Sequence, residues 1–69
     1  MQSYAAYFKT KHDIEFATNA LRFATQAEAE SYARDLFGRW LGASEWEVRP
    51  HQDKPSHTFI GYTLDEIRP

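Results

Sequence analysis

The sequence predicts an α+β domain in the order β-β-α-β-β, one antiparallel sheet with a single helix packed across one face. Three observations predict it. Two segments, Ser3 to Lys9 and Glu45 to Arg49, alternate apolar and polar residues with a period of two. Between them a capped stretch from Thr25 to Leu41 repeats apolar residues at helical spacing. The separators are short and rich in Gly, Pro and polar residues, so neighbouring elements must pack on one another.

In the first segment Tyr4, Ala6 and Phe8 share one face, while Ser3, Ala5, Tyr7 and Lys9 share the other. Thr10 to Asp13 is polar and reads as a turn without an Asn-Gly or Asp-Gly pair. Ile14 to Ala24 reads as a second strand with a fault. Ile14 and Phe16 have one parity and Leu21 and Phe23 the other, so an unbroken strand cannot put all four on one face. Two resolutions are open. A bulge near Thr18-Asn19 would restore one face, or Ile14 and Phe16 belong to a loop and the strand begins near Ala20.

Thr25 and Glu28 fit a capping box that opens the helix. Ala29, Tyr32, Ala33, Leu36, Phe37, Trp40 and Leu41 form its apolar stripe. Glu30 with Arg34, and Asp35 with Arg39, are favourable pairs four residues apart on the outer side, worth a few tenths of a kcal/mol each. Gly38 inside the helix costs about 1 kcal/mol relative to alanine, and Gly42 is placed to end the helix in a left-handed turn. Glu45 to Arg49 then turns Trp46 and Val48 inward and Glu45, Glu47 and Arg49 outward, so Trp40 and Trp46 are expected to meet in the core. Pro50 to His57 reads as a polar loop. Thr58 to Leu64 reads as a last strand with Ile60, Tyr62 and Leu64 on one face and Phe59, Gly61 and Thr63 on the other, followed by a tail, Asp65 to Pro69.

With 69 residues, positions 1–69 form one small domain. The absence of cysteine excludes a disulfide scaffold, so stability must come from packing, helped by a second subunit if one exists. Five Phe, four Tyr and two Trp supply much buried area per residue. A net charge of −2 gives no general electrostatic reason to bind nucleic acid or an anionic membrane. The apolar runs are far shorter than a bilayer span and no signal-peptide pattern opens the sequence, so the expected location is the cytoplasm.

Few residues suggest chemistry. His51, Asp53 and His57 share one loop and could supply three metal ligands, against the simpler reading of a solvated polar loop. Ser56 and His57 are sequence neighbours, which does not make a nucleophile and base. No phosphate-binding glycine loop and no nucleophile elbow is present. No catalytic residue and no cofactor is therefore expected, and the protein is read as non-enzymatic. The candidate binding surface is the outward sheet face, with Tyr7, Arg22, Glu45, Glu47, Arg49 and Phe59. Aromatic rings among charges suit a protein interface. Rings with Arg22 and Arg49 also suit single-stranded nucleic acid, against which Glu45, Glu47 and the net charge weigh.

Ala20 to Trp40, "ALRFATQAEAESYARDLFGRW", resembles a run found in small uncharacterised proteins of phage, prophage and related mobile elements. Their pattern, A-L-R-F-A-T, then E-A-E-x-Y-A-x-D-L, then R-W, is carried here by Ala20 to Thr25, Glu28 to Glu30, Tyr32, Ala33, Asp35, Leu36, Arg39 and Trp40. Trp46 to Arg49 and Asp53-Lys54-Pro55 are similar to the remainder. The matching residues are core and capping residues, so the resemblance implies a fold and brings no catalytic residue or cofactor. It implies a setting, in which small accessory proteins bind and modulate another protein. The expectation is a protein-binding adaptor, modulator or inhibitor domain with an unidentified protein partner. Homodimerisation is the simplest way to enlarge so small a core.

Overall fold

A computed structural model describes residues 2–67. The chain runs β1 (Ser3–Thr10), β2 (Ala17–Thr18), α1 (Gln26–Arg39), β3 (Ala43–His51), β4 (His57–Ile60) and β5 (Thr63–Glu66). The class is α+β, with one helix and antiparallel strands. The strands fall into two pieces, β2-β1-β3 and β4-β5. Phe23 stitches the pieces together through an antiparallel bridge to Tyr4 and a parallel bridge to His57. Tyr4 and Phe23 exchange both backbone hydrogen bonds at 2.8 Å, and the N–H groups of Ser56 and His57 both donate to the Arg22 carbonyl at 2.8 and 3.0 Å.

β1 and β3 pair along their length, with Phe8 opposite Trp46, Ala6 opposite Val48 and Tyr4 opposite Pro50. Side chains alternate across a strand, so these residues share the helix side, while Lys9, Glu45, Tyr7, Glu47, Ala5 and Arg49 share the outer side. The helix presents Ala29, Tyr32 and Ala33 to the sheet, and these join Ala6, Phe8, Phe23 and Phe59 in the buried core. Small alanines on helix and sheet let the two layers approach closely around the rings. Tyr32 is the hub: Phe23 lies 5.2 Å from its centroid, Phe59 5.8 Å and Phe8 6.4 Å, in tilted and edge-on arrangements.

The helix begins as expected. Thr25 Oγ1 accepts the Glu28 N–H at 3.2 Å and donates to Glu28 Oε1 at 3.0 Å. The second carboxylate oxygen does more than a local cap, because it accepts the Phe59 N–H at 3.1 Å. Glu28 thus ties the helix start to β4. Arg39 bonds Asp35 at 2.6 Å, and Arg34 lies 4.0 Å from Glu30.

Four expectations are corrected. First, the helix ends at Trp40 rather than at a left-handed Gly42. Trp40 is the extended C-cap, its N–H donating to the Leu36 carbonyl at 3.0 Å. Gly42 does not have a positive φ. Trp40 therefore sits at the rim, packed on Phe8 at 5.7 Å but 40% exposed, and Leu41 is fully exposed. The two tryptophans do not share a buried centre; both lie against Phe8, Trp46 as its cross-strand partner.

Second, the faulted segment is a break rather than a bulge: Ile14 and Phe16 lie in a loop, as the other resolution had it, but the strand is Ala17–Thr18 and does not begin near Ala20. Ala17–Thr18 forms a short ladder with β1, Asn19 then turns the chain, its Oδ1 accepting the Leu21 N–H at 3.0 Å, and Phe23 returns to β1 in the single bridge to Tyr4. Leu21 and Phe23 go to the core, Ile14 is solvent-exposed, and Phe16 turns to the outer side of the sheet. Third, Pro50 and His51 extend β3 and His57 begins β4, which shortens the polar loop.

Fourth, the last strand is a hairpin. Gly61 and Tyr62 have φ of 59° and 63°, the pair of left-handed residues that a tight two-residue β-turn of the primed type requires. The reversal makes Asp65 and Glu66 part of β5. Arg68 and Pro69, the end of the expected tail, lie outside the described residues. Facing is also the reverse of the expectation: Phe59 is buried at 6% exposure, while Ile60 and Tyr62 stand in solvent.

Candidate functional site

Of the expected surface residues, Tyr7, Glu45, Glu47 and Arg49 do come together on the outer face of the β1–β3 pair. Phe16 and His51, not foreseen there, join them. Arg49 lies over Tyr7 at 4.3 Å and against Phe16 at 5.4 Å, and is paired with Glu47 on its own strand. Lys9 lies 5.8 Å from Phe16 and 3.7 Å from Glu45. The Tyr7 hydroxyl is 2.7 Å from His51 Nε2, with the two rings only 10° from parallel. His51 Nδ1 is 3.7 Å from Asp53, which pairs with Arg22 at 3.1 Å. Arg22 therefore belongs to this network through Asp53, with its guanidinium also donating to the carbonyls of Asn19 and Leu21.

The charged groups of this face are engaged internally, although Ser3 Oγ is buried there without a hydrogen-bond partner among the described residues. Its cations are engaged by carboxylates and by ring faces, and Ser3 and Ala5, which belong to it by parity, are fully buried. The guanidinium over Tyr7 occupies the ring surface on which a base would stack. Phe59 is not on this face at all, because the Phe23–His57 bridge turns it into the core beneath Tyr32.

The loop does not assemble the three expected metal ligands. His51 turns to Tyr7 and Asp53, whereas His57 Nδ1 lies 2.8 Å from Ser56 Oγ. Among the described residues no group of three His, Cys, Asp or Glu is arranged to hold an ion. Ser56 is a structural splice, accepting the Arg22 N–H at 3.0 Å. Among the same residues no helix is long and apolar enough to cross a membrane.

The open surface lies elsewhere. On the β4–β5 hairpin Ile60 is 70% exposed, Tyr62 81%, Leu64 43% and the adjoining Ile67 42%. Tyr62 meets Phe59 edge-on at 6.3 Å. Beside it runs a groove of ≈ 410 Å³ lined by Ser31, Arg34, Asp35, Phe59, Gly61 and Tyr62. Asp65 and Glu66 follow on β5, exposed and without an ion-pair partner among the described residues.

Sequence reasoning missed this surface because it read Thr58 to Leu64 as one strand. The available signal was the glycine in the middle, since an isolated Gly in a strand pattern marks a turn or bulge. No protein-family model matches the chain, and neither a curated protein nor a solved structure matches it.

Proposed function

We propose that this chain is a small non-enzymatic protein-binding domain, a modulator of another protein, whose contact element is the β4–β5 hairpin. The observation that carries the reading is Tyr62. A non-glycine residue at positive φ is disfavoured, and Asn or Gly would occupy this turn position at lower cost. A bulky ring held there at 81% exposure is poorly rewarded by the fold itself. Such an outlier points to a use outside the fold. Tyr is also among the residues that dominate binding energy at interfaces.

Ile60, Leu64 and Ile67 surround the ring with apolar surface, and Asp65 and Glu66 give it an acidic border. The partner that fits is a protein with an apolar cleft and basic groups at its edge. The open groove and the structural use of Ser56, His51 and Asp53 support the non-enzymatic part of the reading. A phage or mobile-element setting, cytoplasmic, is what the resemblance of Ala20 to Trp40 supports. Single-stranded nucleic acid on the outer sheet face has less support, because Arg49 already covers Tyr7 and Glu47 holds Arg49.

The test separates binding from folding. Tyr62→Asn should keep or raise the melting temperature, because the turn strain is relieved, by up to about 1 kcal/mol. The same variant, and Ile60→Ser, should lose the proteins that the wild type captures from the lysate of its own host, quantified by mass spectrometry. Arg49→Ala should retain them. Equal capture by wild type and Tyr62→Asn would sink the hairpin assignment.

A further inference from the structure

We infer that two copies of this chain pair through the free edge of β3, antiparallel, about an axis through Val48. This goes beyond the hairpin reading and does not depend on it. β3 ends the order β2-β1-β3 and is nine residues long. Among the described residues nothing pairs with its outer edge.

The phase of that edge follows from Tyr4. Both backbone groups of Tyr4 are used by Phe23, on the side away from β3. Tyr4 and Pro50 are therefore a non-hydrogen-bonded pair, and the same holds for Ala6 with Val48 and Phe8 with Trp46. Trp46, Val48 and Pro50 thus direct their backbone groups outward. Proline at an edge position with its missing N–H facing out is where sheets tolerate it. It also limits which strand can add. About an axis at Val48, the two Val48 residues exchange N–H···O bonds, and Trp46 N–H of each copy donates to the Pro50 carbonyl of the other.

Charge selects the same register. On the outer face Glu47 of each copy meets Arg49 of the other, and Glu45 meets His51. The two Glu47–Arg49 pairs, already formed within each strand, close into a square of alternating charge. On the helix side Trp46 lies against Pro50 and Val48 against Val48. Moving the axis by one residue sets Glu47 against Glu47 or Arg49 against Arg49. Moving it by two sets Glu45 against Glu47 or Arg49 against His51. Like charges directly opposite destabilise a strand pair. The other edge strands offer less: β2 has two residues, and β5 has four and no basic side chain to answer Asp65 and Glu66.

The resulting sheet keeps both helices on one side. It places the two β4–β5 hairpins at its far ends, because β4 and β5 lie beyond Phe23 on the side opposite β3.

The experiment is solution mass by light scattering over a dilution series, with circular dichroism to verify folding. The wild type should be a dimer that dissociates on dilution. Glu47→Arg and Arg49→Glu should each raise the dissociation constant at least about tenfold, since each makes the square single-signed. An equimolar mixture of the two variants should recover the dimer, and so should the double variant Glu47→Arg/Arg49→Glu. A wild type that is monomeric throughout overturns the inference. So does a dimer that ignores either single change, or a mixture that stays monomeric while both variants are folded. Loss of capture by Tyr62→Asn with the dimer intact would leave the two readings separate.

Discussion

The two antiparallel ladders of this molecule obey different rules. In the β1–β3 pair, parity decides which side chains join the core under the helix: Ala6 and Phe8 do, and Trp46 and Val48 pack against them, while Ser3 and Ala5 are buried on the other side. In the β4–β5 hairpin, the same alternation decides little, since of its residues Phe59 alone is buried while Ile60, Leu64 and all of β5 stay exposed. The backbone chemistry is the same in both. The difference is the helix, which lies against β1, β3 and β4 and ties itself to β4 through Glu28. An apolar alternation becomes a core only where a second layer closes over it. Where no layer closes, the same residues become a surface available to another protein.

Truncation should expose this contrast most strongly. Phe23→Ala removes a fully buried ring that packs on Tyr32 and lies where the two strand pieces join. The expected loss is about 3–5 kcal/mol, enough to unfold a domain of this size at room temperature. Leu64→Ala, an equally drastic cut in the uncovered ladder, should cost less than about 1 kcal/mol. Thermal melts of the two variants settle the matter, and comparable losses would mean that the hairpin is covered in solution.

Glu28→Ala attacks the tie between the regions. It removes the cap partner of Thr25 and the acceptor of the Phe59 N–H together. A loss of about 1–2 kcal/mol is expected in urea unfolding. Hydrogen exchange should speed up first at Phe59 and in β4, while the β1–β3 ladder holds. Uniform acceleration across the domain would show that the hairpin has no separate stability.

Gly38→Ala sharpens the comparison from the other side, by strengthening the cover alone. A Cβ at this position meets nothing within 4 Å, so the glycine serves no close approach. A gain of about 0.8–1 kcal/mol is expected from helix propensity. The gain should raise the melting temperature and leave hairpin-dependent capture unchanged. A fall in stability would mean that the helix end near Trp40 needs the flexibility.

The legibility of the sequence follows the same division. The first strand, the Thr25 cap, the Tyr32–Ala33 stripe and the inward facing of Trp46 and Val48 could all be read in advance. Each depends on a local period or a cap only a few residues long. Of the expected surface, Tyr7, Glu45, Glu47 and Arg49 share a face because β-strand parity guarantees it once the strands are right. Phe16 and His51 could not be added, because their places depend on the break at Asn19 and on β3 running through Pro50.

Phe59 was misplaced for a related reason. Parity says which residues share a face but not which face meets the helix, and a turn inside the segment resets the question. Tyr62 looked like a core ring because aromatic residues usually are. Gly61 beside it marks a turn, but nothing local says that Tyr62 itself takes the second left-handed position.

By itself, then, the sequence determined the class, the order of the elements as far as β3 and the helix with its cap. Covalent spacing and local hydrogen bonding settle those. Only the tertiary structure decided how far the helix reaches across the sheet, that Phe23 joins two strand pieces, and that the charges of the outer face are engaged with one another and with its rings. It also decided that the exposed apolar surface sits on the last hairpin. Those outcomes depend on which layer closes over which face, and burial is a property of the packed chain that no local period encodes.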